Sequence, residues 1–241
     1  MSLPQLPFAY QIRRSQRASR ARIVVKPGQV EIVAPHEIPE GWLHKFVQAK
    51  QHWVAHALRK MAVTNPEQNN FAPLTFEQGA TLIYQGKPHP ITLKTTALKR
   101  VKIEFNDHYI IHLPETIHPR HHHEQIKAEF IKWLRKMAKQ EVEQLVAKHA
   151  PQRKLFPKST TIKTQKSRWG SCGVNNNINI NWLLMMAPAD VLEYVVVHEL
   201  CHIKVKNHSS QFWALVAEHL PDYQRRRLWL KREGRNLMLA F

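Results

Sequence analysis

Residues 198–202 read His-Glu-Leu-Cys-His. On a helix each residue advances about 100°, so His198 and His202 stand about 40° apart on one face, one turn from each other. Two imidazoles so placed reach one cation together, and Glu199 beside them can hold the water that the cation activates. The chemistry implied is metal-assisted hydrolysis. Zinc lowers the pKa of its water from about 15.7 to about 7, and a carboxylate general base takes the proton and later passes it to the leaving group. The chain holds 16 His, however, and in so His-rich a sequence the pattern also arises by chance. Its neighbours have to support it.

His208 follows His202 by six residues. On an unbroken helix it would be turned about 240° from His202 and face away. It joins the pair only if the helix ends between Ile203 and Asn207. Lys204 and Lys206 suit a helix C-terminus, Asn207 can take a left-handed conformation, and Ser209 reads as the start of the next helix. Three His leave the open coordination position expected of a catalytic zinc site. The helix that carries the motif is the most apolar in the chain, running through Val191, Leu192, Val195, Val196, Leu200 and Ile203 behind Pro188. Polar groups there must be paired or ligating.

A developing oxyanion needs a donor besides the metal, and Lys166 and Arg168 are the candidates for substrate binding, with Tyr194 and Tyr223 behind them. Trp169, Trp182, Phe212 and Trp213 read as packing residues. Cys201 falls about 60° from His198, on the side away from His202, and with Cys172 it reads as a small buried apolar residue. The run from Pro119 to Glu124 (Pro-Arg-His-His-His-Glu) reads as a solvated helix start, not a second metal site.

The elements that must position these residues follow from periodicity. Residues 8–34 read as strands, with a hairpin about the Lys26-to-Gln29 turn. Residues 38–62 read as one long helix through Trp42, Phe46, Val47, Trp53, Val54 and Leu58, and 64–73 as a polar linker. Short alternating runs at 81–84, 91–93, 101–105 and 109–113 read as strands. Pro114 to Arg120 resembles a boundary, and an amphipathic helix runs from about His122 to His149. Strands at 160–164 and 178–181 flank the segment Lys166–Cys172. A helix opens at Pro188, another starts at Ser209 and stops before Pro221, and a last one ends near Gly234. The expected division is a basic, β-rich N-terminal region over 1–115 and a catalytic region over 116–241.

Composition limits the alternatives. With 241 residues and 43% apolar content the chain has ample material for a core, and two Cys exclude a disulfide framework or a four-thiolate zinc site. The longest apolar stretch, Trp182 to Val197, is broken by Pro188, Asp190 and Glu193 and falls short of a membrane span. Met1 to Tyr10 shows no signal-peptide pattern, so the expected compartment is the cytoplasm. The formal net charge of +18 points to an anionic substrate or partner: a nucleotide, a nucleic acid or an acidic protein.

The segments Lys166–Cys172, Ile178–Trp182, Ala187-Pro188, Tyr194–His202 and Asn207–Ser209 with Phe212-Trp213 resemble the YgjP-like family of HExxH metallopeptidases, itself related to SprT-type and other minimal zincins. The resemblance extends over essentially the whole chain. It implies an α+β fold with a zincin-like catalytic half, zinc (or another divalent metal) on the three His, Glu199 as general base, and the Trp169 segment as a strand beside the active-site helix. The His spacing equals that of metzincins, but their glycine would fall at Val205 and no Met-turn follows. Two other activities compete with peptide hydrolysis: nucleoside triphosphate pyrophosphohydrolysis of the UTP type, which is also attached to the family, and trimming of proteins held on nucleic acid, suggested by the SprT likeness. No Walker-type phosphate loop is present.

Overall fold

The computed structural model describes residues 6–26, 29–62 and 71–241. The chain divides into two compact units, residues 1–68 and 69–241. In the first unit β2 (Arg22–Lys26) and β3 (Gln29–Ala34) form the expected antiparallel hairpin with Val25 opposite Val30, and β1 (Gln11–Arg14) runs parallel to β3. The turn residues Pro27 and Gly28 lie outside the described residues, as do 64–70 of the polar linker. Ile32 and Ala34 meet Leu43 and Val47 in a small core. The single helix expected over 38–62 is two, α1 (Glu40–Ala49) and α2 (Gln51–Ala62). Lys50, at φ −106° and ψ 8°, interrupts them. No Gly or Pro marks that break, so the apolar periodicity reads straight across it.

The second unit is mixed α and β. A four-stranded sheet has the order β4 (Thr81–Tyr84), β5 (Lys87–Thr96), β7 (His108–Pro114), β6 (Lys102–Asn106). One 3₁₀ turn at Pro119–His121 leads into α3 (His122–Arg153). Tyr109 and Ile111 of β7 share one core with Ile126, Phe130 and Leu134 of α3, the Tyr109 and Phe130 rings 5.0 Å apart edge to face. The compact units part at 68/69, and the elements on either side of the Pro114-to-Arg120 segment bury the same apolar surface.

A three-stranded sheet follows, in the order β8 (Ser159–Lys163), β10 (Asn177–Asn181), β9 (Gly170–Cys172). After a buried 3₁₀ stretch, Trp182–Met186, comes α4 (Ala189–Lys204), then α5 (Ser210–His219) and α6 (Tyr223–Met238). The last helix runs past Gly234, where it was expected to stop. Gly234 is a close-packing position: a Cβ there would sit 3.2 Å from Trp169 Cζ2. No helix among the described residues is long and apolar enough to cross a membrane.

Two contacts fix α4. The turn between β4 and β5 docks on its start: Gln85 N donates to Met185 O, and Gly86, at φ +78°, lies so close to Pro188 that a Cβ would come within 3.0 Å of that ring. Further along, Glu193 accepts from Lys148 Nζ (2.7 Å) and bonds His149 Nε2 (2.9 Å), both on α3, and accepts from Arg226 on α6 (2.6 Å). Burial alone would raise the Glu193 pKa, but these three partners outweigh it and hold it at about 2, below its ordinary 4.5. A depressed folded-state pKa stabilises the fold above about pH 4.5, and that stabilisation is lost as pH falls toward 2. Glu193→Gln is expected to lower stability by about 2–3 kcal/mol at neutral pH. In urea titrations across pH the gap to wild type should close below pH 4; a gap that stays constant down to pH 2 would remove Glu193 from this role.

Candidate metal centre

The break that His208 requires is present. Helix α4 stops at Lys204 because Val205 is extended, at φ −125° and ψ 104°. Asn207 is not left-handed, contrary to expectation. Its side-chain oxygen instead accepts from Ser209 N at 3.2 Å, an Asx turn that starts α5. The turn swings His208 back onto the helix face. Its Nε2 lies 3.1 Å from that of His202 and 3.1 Å from that of His198. The ligand atoms of the three side chains all fall within 4.8 Å of one another, the one such His/Cys/Asp/Glu cluster among the described residues.

The protonation chemistry of this cluster fits a cation. His202 Nδ1 donates to Val205 O at 2.9 Å. A carbonyl only accepts, so the proton sits on Nδ1 and the Nε2 lone pair faces the cluster. Burial, with His202 and His208 adding to it, pushes His198 down to about 3, and burial also lowers His202. Both are thus neutral at pH 7, which is the form that binds metal. Nε2 atoms 3.1 Å apart need a proton or a metal cation between them to offset lone-pair repulsion. Tetrahedral zinc with Zn–N bonds of about 2.0–2.1 Å would set nitrogens about 3.3 Å apart. Phe212, fully buried on α5, forms the floor: its ring stacks on His202 at 4.4 Å and meets His198 edge-on at 4.8 Å. His208 is exposed, so the cluster opens to solvent on that side.

Glu199 lies beside the ligands and is not one of the clustered donors. It is 6% exposed. Burial raises its carboxyl to about 7, with the charge of Arg168 opposing. Strand β9 is what buries it. A Cβ added at Gly170 would sit 2.6 Å from Glu199 Oε1 and 2.7 Å from its Cγ, so only glycine lets the strand approach this closely. Gly170→Ala is therefore expected to displace the carboxylate and cut turnover about ten- to a hundred-fold while metal content holds. Unchanged turnover would show that Glu199 moves aside without cost.

The other expected site residues are distributed less evenly. Lys166 and Arg168 are exposed, on the loop before β9 and not on the strand itself. Buried Asn181 holds this loop, its Nδ2 donating to Gln165 O at 2.8 Å and to Arg168 O at 3.2 Å. Arg168 acts electrostatically on Glu199, whereas no contact ties Lys166 to the cluster. Tyr194 meets His198 edge to face at 5.8 Å, and burial lifts its hydroxyl to about 12 against the opposing charge of Arg227. Trp182 and Phe212 are buried as packing residues, but Trp213 lies along His208 at 5.6 Å and 21°, with Tyr223 stacked on it at 5.3 Å and 13°. Cys201 is buried within α4 and pushed up to about 12 by burial, with Glu218 adding, so it takes no part. The His121 and His122 rings bond Arg120 and Ile117, outside any metal cluster.

Three features about the cluster are not legible in the sequence: the close approach of Gly170, the contacts of Phe212 with the imidazoles, and Arg227 over Trp213. The last of these carries a signal only as part of the run Arg225-Arg226-Arg227. Comparison with curated proteins gives no match. Comparison with protein families matches residues 19–233 to the YgjP-like metallopeptidase domain. That match runs from just before β2 into α6 and takes in every element that builds the His cluster, so the chain belongs to the YgjP-like metallopeptidase family.

Proposed function

We propose that this protein is a zinc-dependent hydrolase of the metallopeptidase type, with His198, His202 and His208 as ligands and Glu199 as general base. The observation that carries the reading is the convergence of the three Nε2 atoms, with the His202 proton held on Nδ1 by its hydrogen bond to Val205 O. Zinc held there would supply a Lewis acid and make water acidic enough to lose a proton near neutral pH. Glu199 accepts that proton and returns it to the leaving group. Its burial against Gly170 keeps bulk water from competing for it and keeps its basicity above that of an exposed carboxylate. Arg168, exposed at the mouth beside Glu199, and Lys166 on the same loop offer positive charge to the substrate.

A second reading, hydrolysis of a nucleoside triphosphate at the same centre, is favoured by the +18 charge and by the basic side chains about the site. The deciding experiment offers purified protein parallel panels of unfolded proteins, peptides and nucleoside triphosphates, with and without a chelator. Hydrolysis in one panel, lost on chelation and restored by zinc, is the expected result. Turnover that survives complete metal removal would overturn the assignment.

A further inference from the structure

Helix α6 carries three consecutive arginines that meet different fates. Arg225 donates to Asp190 (2.7 Å) and Asp222 (3.0 Å). Arg226 donates to Glu193 (2.6 Å) and pairs with Asp222 (3.0 Å). The nearby carboxylates are thereby used up. Arg227 is exposed and has no carboxylate partner among the described residues. Its guanidinium lies over the Trp213 ring, Cζ 4.5 Å from the centroid. Trp213 is in turn stacked along His208. This places a cation without a carboxylate partner beside the three-His cluster. Among the described residues its N–H edge has no carboxylate to bind. That edge forms a planar fork suited to two oxygens of one anion.

We propose that Arg227 binds the anionic group of the substrate, a carboxylate or a phosphate, next to the His198–His202–His208 centre. The inference rests on the hydrolase reading above and adds to it a residue that selects substrates by charge. Trp213, packed against Tyr223 and His208, provides the surface over which the guanidinium sits, so the charge is placed beside the centre before substrate arrives.

The test is direct binding, measured by tryptophan fluorescence and calorimetry on zinc-loaded wild type, Arg227→Gln, Arg227→Lys and a charge-matched control. Arg232→Gln serves as that control, because Arg232 is exposed and pairs with Glu233. The probes are pyrophosphate, an N-acetylated tripeptide with a free C-terminal carboxylate, and its amidated counterpart. We expect saturable binding of pyrophosphate or of the free-carboxylate peptide, whichever anion the site is built for, and none of the amide. Arg227→Gln should weaken that binding about ten-fold or more, Arg227→Lys by less, and Arg232→Gln not at all. Equal affinity in wild type and Arg227→Gln, an equal loss in Arg232→Gln, or no binding of either anion to wild type would each overturn the proposal. Glu199→Gln, run alongside, separates the two claims. Full hydrolysis in that variant sinks the general-base reading, while Arg227-dependent anion binding can still stand.

Discussion

Glu199→Gln is expected to retain its metal and lose turnover by about a thousand-fold or more, the upper range for removing a general base. The substitution is close to isosteric, so the contact with Gly170 and the packing of β9 on α4 survive. The amide cannot take a proton from water. Stability should not fall, because a neutral amide is less costly to bury than a carboxylate at a position only 6% exposed. The paired measurements are metal per chain, thermal midpoint and rate on the active substrate panel. A variant that keeps both metal and rate would exclude Glu199 from proton transfer, and a variant that loses metal would make it a ligand.

His202→Ala attacks the centre from the other side. It removes one of three donors, the hydrogen bond that fixes Val205 O, and the ring stacked on Phe212. Metal content is expected to drop from about one zinc per chain to near zero after dialysis, with hydrolysis going with it. A ligand that binds only the folded state stabilises it by about 2.7 kcal/mol at a hundred times its Kd. Added zinc should therefore raise the melting temperature of wild type and leave that of His202→Ala unmoved. Full metal retention in the variant would refute the ligand set.

The His cluster was legible in sequence because helical geometry is local. The spacing of His198 and His202 specifies a shared face, and the polar residues after Ile203 specify where that face ends. The break itself was read correctly and its cause was not: extended Val205 and the Asn207 side chain make the turn, with no left-handed residue. Most strands and helices were also recovered, since their apolar periods reflect which face they bury. What periodicity does not encode is who packs against whom. Gly170 matters only because β9 lies against Glu199, Arg227 only because α6 brings it over Trp213, and the α1–α2 break only through the backbone of Lys50. The shared core of β7 and α3 is invisible to periodicity for the same reason, as it joins residues that the turn between them separates.

The docking of Gly86 on Pro188 bears on how the protein can be dissected. Cutting the chain after residue 115 would strip away the prop under the first turn of α4 and uncover the α3 surface that Tyr109 and Ile111 now shield. An excised C-terminal fragment would contain all three clustered His yet lack the scaffold that aims them. The smallest autonomous catalytic piece should begin near residue 69.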